Sequence, residues 1–281
     1  RPASVADHPA GQYHLMRIAS LGSGSKGNAT LVDTGETLLL IDCGLPRRDV
    51  EARLQSRGVS GQDIDAVLVT HEHGDHCRGV VPLAKAHDLP VFLTAGTATS
   101  RKLEGLTSGV VIRPGDQFAV GDVNIAAEPV PHDAREPVQF CLSRNDLKLG
   151  VLTDLGSITP HVVQAFSGCD ALVLEFNHDP QMLADGPYPY ALKKRVGGDF
   201  GHLTNAQARQ FLDHADTTRL KMLFVAHISQ QNNAPALADA ALSGWSDLAS
   251  CQVIHATQET GFDWHNLDGL NRDPEIRVAL G

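Results

Sequence analysis

Four potential metal ligands fall within six residues of this chain, in His71-Glu72-His73-Gly74-Asp75-His76. In an extended segment, side chains two positions apart project to the same side. The imidazoles of His71 and His73 can therefore meet at one point. Gly74 is expected to let the backbone turn and bring Asp75 and His76 back over that point. Imidazole with carboxylate suits zinc and neighbouring first-row metals, and the box itself holds no cysteine, which argues against a closed structural zinc site. Four donors are too few for two cations, so the rest must come from elsewhere. Three residues sit where a strand-like run gives way to a loop: His132 after Glu128-Pro129-Val130-Pro131, Asp154 after Gly150-Val151-Leu152-Thr153, and His227 after Leu223-Phe224-Val225-Ala226. A carboxylate can bridge two cations, and Asp154 is the natural bridge. Taken singly, each histidine could be an ordinary half-buried residue, Asp154 a turn residue and the box a solvated polar loop. Their shared position at strand ends favours the ligand reading.

The elements that must position these side chains can be read from hydrophobic periodicity. Strands are expected at Met16–Leu21, Thr30–Val32, Thr37–Asp42 and Ile64–Thr70, the last delivering the chain to His71. Val50 and Leu54 lie one turn apart in an expected helix, Arg48–Arg57, that Gly58 stops. A helix over Gly79–His87 and a strand over Val91–Thr94 follow. Further on, Phe118–Val120 and Val123–Ala127 flank Gly121–Asp122, and Val138–Leu142 and Leu149–Thr153 flank Asn145–Asp146, as hairpins do. Helix–strand pairs then follow at Pro160–Phe166 with Ala171–Phe176 and at Asn205–His214 with Lys221–Ile228. Thr204 and Gln207 form a plausible capping box, and Ala208, Phe211 and Leu212 supply that helix's inner face. Two strand-rich halves, each closed by helices, predict an α/β fold: a four-layer αββα sandwich.

The chain has 281 residues, 42% hydrophobic and 20% charged, which is an ordinary globular composition. Residues 1–15 read as an N-terminal extension or cloning remnant, and 16–281 as a single domain. No apolar run is long enough to span a membrane, and no export signal is evident. Five scattered cysteines without a CxxC pair fit a reduced, cytoplasmic protein. A net charge of −10 argues against a broadly basic nucleic-acid binder but not against a nuclease, since bound divalent cations restore positive charge where it matters.

With these residues in hand, the chain resembles the metallo-β-lactamase superfamily, through Asp42 in Leu40-Ile41-Asp42-Cys43-Gly44, the HxHxDH box, His132, Asp154 and His227. The resemblance implies one cation on His71, His73 and His132 and another on Asp75, His76 and His227, with Asp154 between them and Asp42 as a support rather than a ligand. Several further segments are similar to the YycJ/WalJ-type bacterial hydrolases: Ser20 to Asn28, Glu175-Phe176-Asn177-His178-Asp179, Gly186-Pro187-Tyr188-Pro189, Gly201-His202-Leu203-Thr204-Asn205, and Ala226 to Asn233. That group implies a 5′-to-3′ DNA exonuclease.

In such a site two cations activate a water held between them and clamp the oxygens of an in-line displacement. His202 is then the expected general acid, with Glu175 orienting it, while Asp75 could also orient the nucleophile. Zinc is the default metal, with manganese or iron(II) fitting the same donors. Phosphate contacts are sought in Lys193-Lys194-Arg195 and in a possible anion nest at Ser23, Ser25 and Asn28. His178 is a further candidate contact, and Tyr188 and Tyr190 could stack a base. Each has a plainer reading, as a solvated face, a hairpin turn or packing. The alternative activities are a phosphodiesterase for small nucleotide or ribose-phosphate diesters and a structure-specific RNA endonuclease.

Overall fold

The computed structural model describes residues 16–267; the N-terminal stretch 1–15 lies outside them. The chain opens with β1 (Arg17–Gly22), β2 (Ala29–Asp33) and β3 (Leu38–Ile41), then α1 (Arg47–Ser56), β4 (Ala66–Leu68), α2 (Gly74–Cys77), α3 (Val80–His87), β5 (Val91–Thr94), α4 (Ala95–Ala98) and β6 (Gly109–Ile112). The second half runs β7 (Gln117–Val120), β8 (Val123–Pro129), β9 (Val138–Arg144), β10 (Leu147–Leu152), α5 (Pro160–Phe166), β11 (Ala171–Glu175), α6 (Pro180–Asp185) and α7 (Tyr190–Val196). It ends with α8 (Asn205–His214), β12 (Met222–Ala226), α9 (Pro235–Leu242), β13 (Gln252–His255) and β14 (Phe262–Asn266).

Two seven-stranded sheets result, ordered β14-β1-β2-β3-β4-β5-β6 and β13-β12-β11-β10-β9-β8-β7. The period-2 alternation of strand side chains divides each strand between two cores. Ile18, Val32, Leu39 and Leu68 from the first sheet meet Ile125, Phe140, Val151, Val173 and Phe224 from the second in a central layer. The intervening residues face outward, Leu21, Leu31, Leu40 and Val67 onto Val50 and Leu54 of α1 and Leu83 of α3. On the far side, Leu152, Leu172, Leu174 and Val225 pack on Phe166 of α5, Phe211 of α8 and Leu242 of α9. With helices over both sheets, central strands such as β3, β4, β11 and β12 are buried on both faces, which explains their nearly unbroken apolar runs. The fold is the expected αββα sandwich.

Each sheet is mixed. β3 through β6 and β10 through β13 are parallel, with antiparallel strands at the flanks. Parallel strands all end on one side, and in such sheets ligands collect beyond those carboxyl ends. Here the carboxyl ends of β3, β4, β10, β11 and β12 carry the candidate site residues. β4 and β12 are shorter than the expected 64–70 and 221–228 because the chain leaves sheet pairing before His71 and His227. Thr204 and Gln207 form the expected capping box. Elements not foreseen include β6, β13 and β14, which have little periodicity, and the short helices α6 and α7.

Gly44 lies where the backbone after β3 presses on the ligand loop: a Cβ built there would sit 1.6 Å from the Asp75 carbonyl oxygen. Relieving that overlap requires the backbone to shift. Gly44→Ala is expected to lower stability by about 1–3 kcal/mol in urea unfolding and to weaken divalent-metal uptake with it. Wild-type values in both measurements would show that the close approach is not required.

Candidate active site

The 71–76 loop is fixed by the backbone of neighbouring segments. Asn28 donates its N–H to the Asp75 carbonyl at 2.7 Å, and Cys43 donates to that of His76 at 2.8 Å. The reversal expected of Gly74 is a single helical turn, α2, and Gly74 needs no left-handed backbone; a Cβ there would meet nothing nearer than 3.8 Å. Left-handed backbone occurs instead at Asp42, Asp154 and His227, with φ of 59°, 52° and 51°. Non-glycine residues rarely adopt it, and where it persists the surrounding structure must hold it.

His71, His73 and His132 form one cluster. His73 Nδ1 lies 3.1 Å from His132 Nε2, and the His71 ring stands 4.6 Å from the His73 ring and 4.7 Å from the His132 ring. Thr70 donates its hydroxyl to Asp42 at 2.8 Å and so offers its oxygen to His71 Nδ1 at 2.9 Å. His71 Nε2 is left buried with no partner. His132 is oriented in the same manner, Nδ1 lying 3.0 Å from the Gly201 carbonyl. Burial dominates the titration of all three rings. It pulls His71 well below the usual range, His73 below it and His132 to about 4, so each ring keeps a lone pair at neutral pH.

Asp75, His76, Asp154 and His227 form the second cluster, with one ligand atom from each within 4.8 Å of the others. Asp42 accepts from His76 Nδ1 at 2.7 Å, which leaves His76 Nε2 toward Asp154 Oδ2 at 3.0 Å. Asp154 Oδ2 also lies 3.2 Å from His227 Nδ1, yet it has no well-aligned hydrogen bond. Its other oxygen is 3.9 Å from His132 Nε2 in the first cluster, so the carboxylate stands between the two groups. Burial opposes protonation of His76 and His227, but Asp154 and its acidic neighbours outweigh it, raising His76 well above its usual value and His227 to about 10. Three neutral imidazoles, one with an orphaned nitrogen, and the carboxylates of buried Asp154 and half-buried Asp75 suit a divalent-metal centre.

Glu175 lies beneath both clusters, fully buried. It accepts from His202 Nδ1 at 2.8 Å and from the N–H groups of Leu203 and Leu155 at 3.0 and 3.3 Å, and His227 Nδ1 is 3.0 Å away. Burial would raise its pKa, but His202 and His227 hold it down at about 2. Burial in turn lowers that of His202, and the Glu175 charge outweighs it, leaving His202 above its usual value. His202 faces a pocket of about 320 Å³ whose walls include Ser25, Lys102, Tyr188 and Arg195 as well as His73, Asp75, Asp154 and His227.

The expected substrate contacts separate in the structure. Arg195, Tyr188 and Ser25 line the pocket. Ser23 and Asn28 are buried and turned inward, where the Ser23 hydroxyl accepts from the His227 N–H at 2.8 Å and Asn28 Nδ2 lies 3.0 Å from His76 Nε2. The anion nest is largely spent, because the N–H of Gly24 donates to Asn28 and that of Lys26 to Gln258. His178 is buried, 1% exposed, with burial lowering its pKa to about 4, and it does not line the pocket. Lys193 is tied to the Ala184 carbonyl, Lys194 is exposed, and Tyr190 is 80% exposed. The sequence reading missed Thr70, Asp133 and Lys102. The first two adjoin His71 and His132, so adjacency was a usable signal; nothing in the sequence ties Lys102 to the box.

Comparison with known proteins agrees with this geometry. Residues 37–228 match the Beta-lactamase superfamily domain. The chain is 35% identical over 253 residues to exodeoxyribonuclease YycJ of Bacillus anthracis, covering 88% of this chain and 91% of that protein. It is 31% identical over 229 residues to exodeoxyribonuclease WalJ of Streptococcus pneumoniae, covering 79% and 85%. Among solved structures, the metallo-β-lactamase fold protein YhfI of Bacillus subtilis superposes with a TM-score of 0.70 at 19% identity, over 90% of this chain and 99% of its own. The chain belongs to the metallo-β-lactamase superfamily, among the YycJ/WalJ-type proteins, and is a metal-dependent hydrolase.

Proposed function

We propose that this hydrolase is a nuclease that degrades DNA in the 5′-to-3′ direction with two divalent cations. His71, His73 and His132 would hold one, Asp75, His76 and His227 the other, and Asp154 would lie between them. Zinc is the default from the donor types, and manganese or iron(II) suit the same set. When bound, such cations supply Lewis-acid stabilisation of phosphate oxygens and make water acidic enough to attack at neutral pH. Candidate ligands drawn from both sheets support reading residues 16–267 as one domain; 268–281, the rest of the expected domain, lie outside the described residues. A cytoplasmic location is part of the same reading, supported by five free, buried cysteines.

The observation that carries the proposal is the Glu175–His202 pair, 2.8 Å apart beside the ligand clusters. Cleaving a phosphodiester releases an alkoxide that needs a proton. Glu175 fixes a proton on Nδ1 of His202 and favours the doubly protonated ring, which leaves Nε2–H to be given to the leaving oxygen. Asp75, on the pocket wall, would orient the attacking water. Arg195 and Lys102 supply positive charge around the pocket, and Tyr188 an aromatic face for a base. The relatives YycJ and WalJ are exodeoxyribonucleases by name, which favours DNA. A pocket of about 320 Å³ would also admit a small phosphodiester, the competing reading.

Purified protein with added zinc or manganese is expected to shorten 5′-phosphorylated, 3′-labelled DNA stepwise, and excess small diester should compete poorly. Absence of cleavage with every metal tried rejects the nuclease reading; preferential turnover of the small diester selects its rival. Asp154→Ala is expected to lose both metal and activity, as judged by elemental analysis and the same assay. His202→Ala should lower kcat by roughly 10²–10⁴ with metal content unchanged. Loss of metal in that variant would make His202 a ligand instead, since its ring also stands close to Asp154, Glu175 and His227.

A further inference from the structure

Asp133 and Arg195 stand beside His73 outside the donor set, with Asp133 Oδ1 also 3.6 Å from His132 Nε2. His73 turns Nδ1 toward His132, and its other nitrogen, Nε2, lies 3.3 Å from Arg195 Nη2 and 3.7 Å from Asp133 Oδ1. Asp133 binds Arg195 Nε through Oδ2 and donates its own N–H to the Phe200 carbonyl at 2.9 Å, in the segment that leads to His202. The outer nitrogens of the other two rings have acceptors, Thr70 Oγ1 for His71 and the Gly201 carbonyl for His132. For His73 the neighbouring acceptor is Asp133, because a guanidinium only donates.

We propose that Asp133 is a positioning residue that orients His73 as a metal ligand while sharing its carboxylate with Arg195, so that cation and phosphate binding assist each other. The proposal rests on the reading of His73 as a ligand through Nδ1. With Nδ1 engaged, the ring proton sits on Nε2 and meets the N–H groups of Arg195, donor against donor. Asp133 holds Arg195 through Oδ2 and leaves Oδ1 for His73. A phosphate entering the pocket gives Arg195 another acceptor and draws its N–H groups off Nε2, so that His73 can turn its proton to Oδ1. A carboxylate on the outer nitrogen of a ligating imidazole fixes its tautomer and raises its basicity. Binding linkage makes the effect reciprocal, so phosphate tightens the cation as much as the cation tightens phosphate.

The test is zinc affinity by chelator competition for the wild type, Asp133→Asn, Asp133→Glu and Arg195→Gln, each with and without thymidine 5′-monophosphate. Asp133→Asn should weaken zinc binding by about 10- to 100-fold with no change in the melting temperature of the metal-free protein, and Asp133→Glu should recover part of the loss. The nucleotide should tighten zinc severalfold in the wild type and leave Arg195→Gln unchanged. Wild-type zinc affinity in Asp133→Asn, or an equal nucleotide effect in the wild type and Arg195→Gln, overturns the proposal. Zinc titration needs no DNA cleavage, so the two readings fail separately. A protein inactive on DNA with a zinc defect in Asp133→Asn upholds this proposal and rejects the nuclease. An active protein with normal zinc binding in Asp133→Asn does the reverse.

Discussion

Asp42, Asp154 and Glu175 are carboxylates buried where strands of two sheets end, exposed by 3%, 1% and 0%. Removing a charge from water costs several kcal/mol unless partners replace the lost hydration. Asp42 is compensated by the N–H and hydroxyl of Thr70 and by His76. Glu175 is compensated by His202, His227 and two backbone N–H groups. Asp154 is compensated against its burial by His76 and His227, 3.0 and 3.2 Å from its Oδ2, which hold its pKa well below the usual carboxylate range. The chain balances this negative charge by raising the proton affinity of His76 and His227, while the desolvated rings of His71, His73 and His132 are driven neutral. Negative charge next to unprotonated imidazoles is an environment suited to a divalent cation.

Backbone geometry brings these groups to one place. Asp42, Asp154 and His227 all turn left-handed as they leave their strands. Such conformations cost of order 1–3 kcal/mol each and survive only when neighbours fix them. Asp42 is fixed by its N–H to the Leu68 carbonyl at 2.8 Å. His227 is gripped on both sides, its N–H by Ser23 and its carbonyl by Asn177. Residues that the sequence suggested for substrate are thus employed in holding the ligands. Ser23 and Asn28 belong to the scaffold of the site, and of the three basic residues 193–195 it is Arg195 that lines the pocket, on a helix the periodicity did not reveal.

This division explains what was legible in the sequence. The ligand box, His132, Asp154 and His227 could be read because strand ends are visible as apolar runs meeting polar residues, and because a shared point in space demands donors of matching type. The sandwich was legible for the same reason. Glu175 and His202, 27 residues apart, form a pair that only the resemblance suggested, since nothing local binds them. Gly74 was assigned conformational work that α2 does without it, because a glycine between ligands looks the same in sequence whether it is needed for φ or merely for space. Lys102 reaches the pocket through the fold alone, donating to the Glu72 carbonyl at 3.1 Å from a turn 30 residues on.

Neither sheet holds a complete candidate ligand group. His71 and His73 follow β4 of the first sheet, but their partner His132 follows β8 of the second; Asp75 and His76 likewise require Asp154 and His227 from across the seam. The site therefore exists only when the central layer around Phe140 and Phe224 has closed. Ser23, reaching from the first sheet to the His227 backbone, registers one half on the other at the point where ligands must meet. Any cation that binds this arrangement and not the open chain adds its binding free energy to the stability of the sandwich. Asp154, with His76 Nε2 3.0 Å away on one side and His132 Nε2 3.9 Å away on the other, is the carboxylate through which such a cation would couple to both sheets.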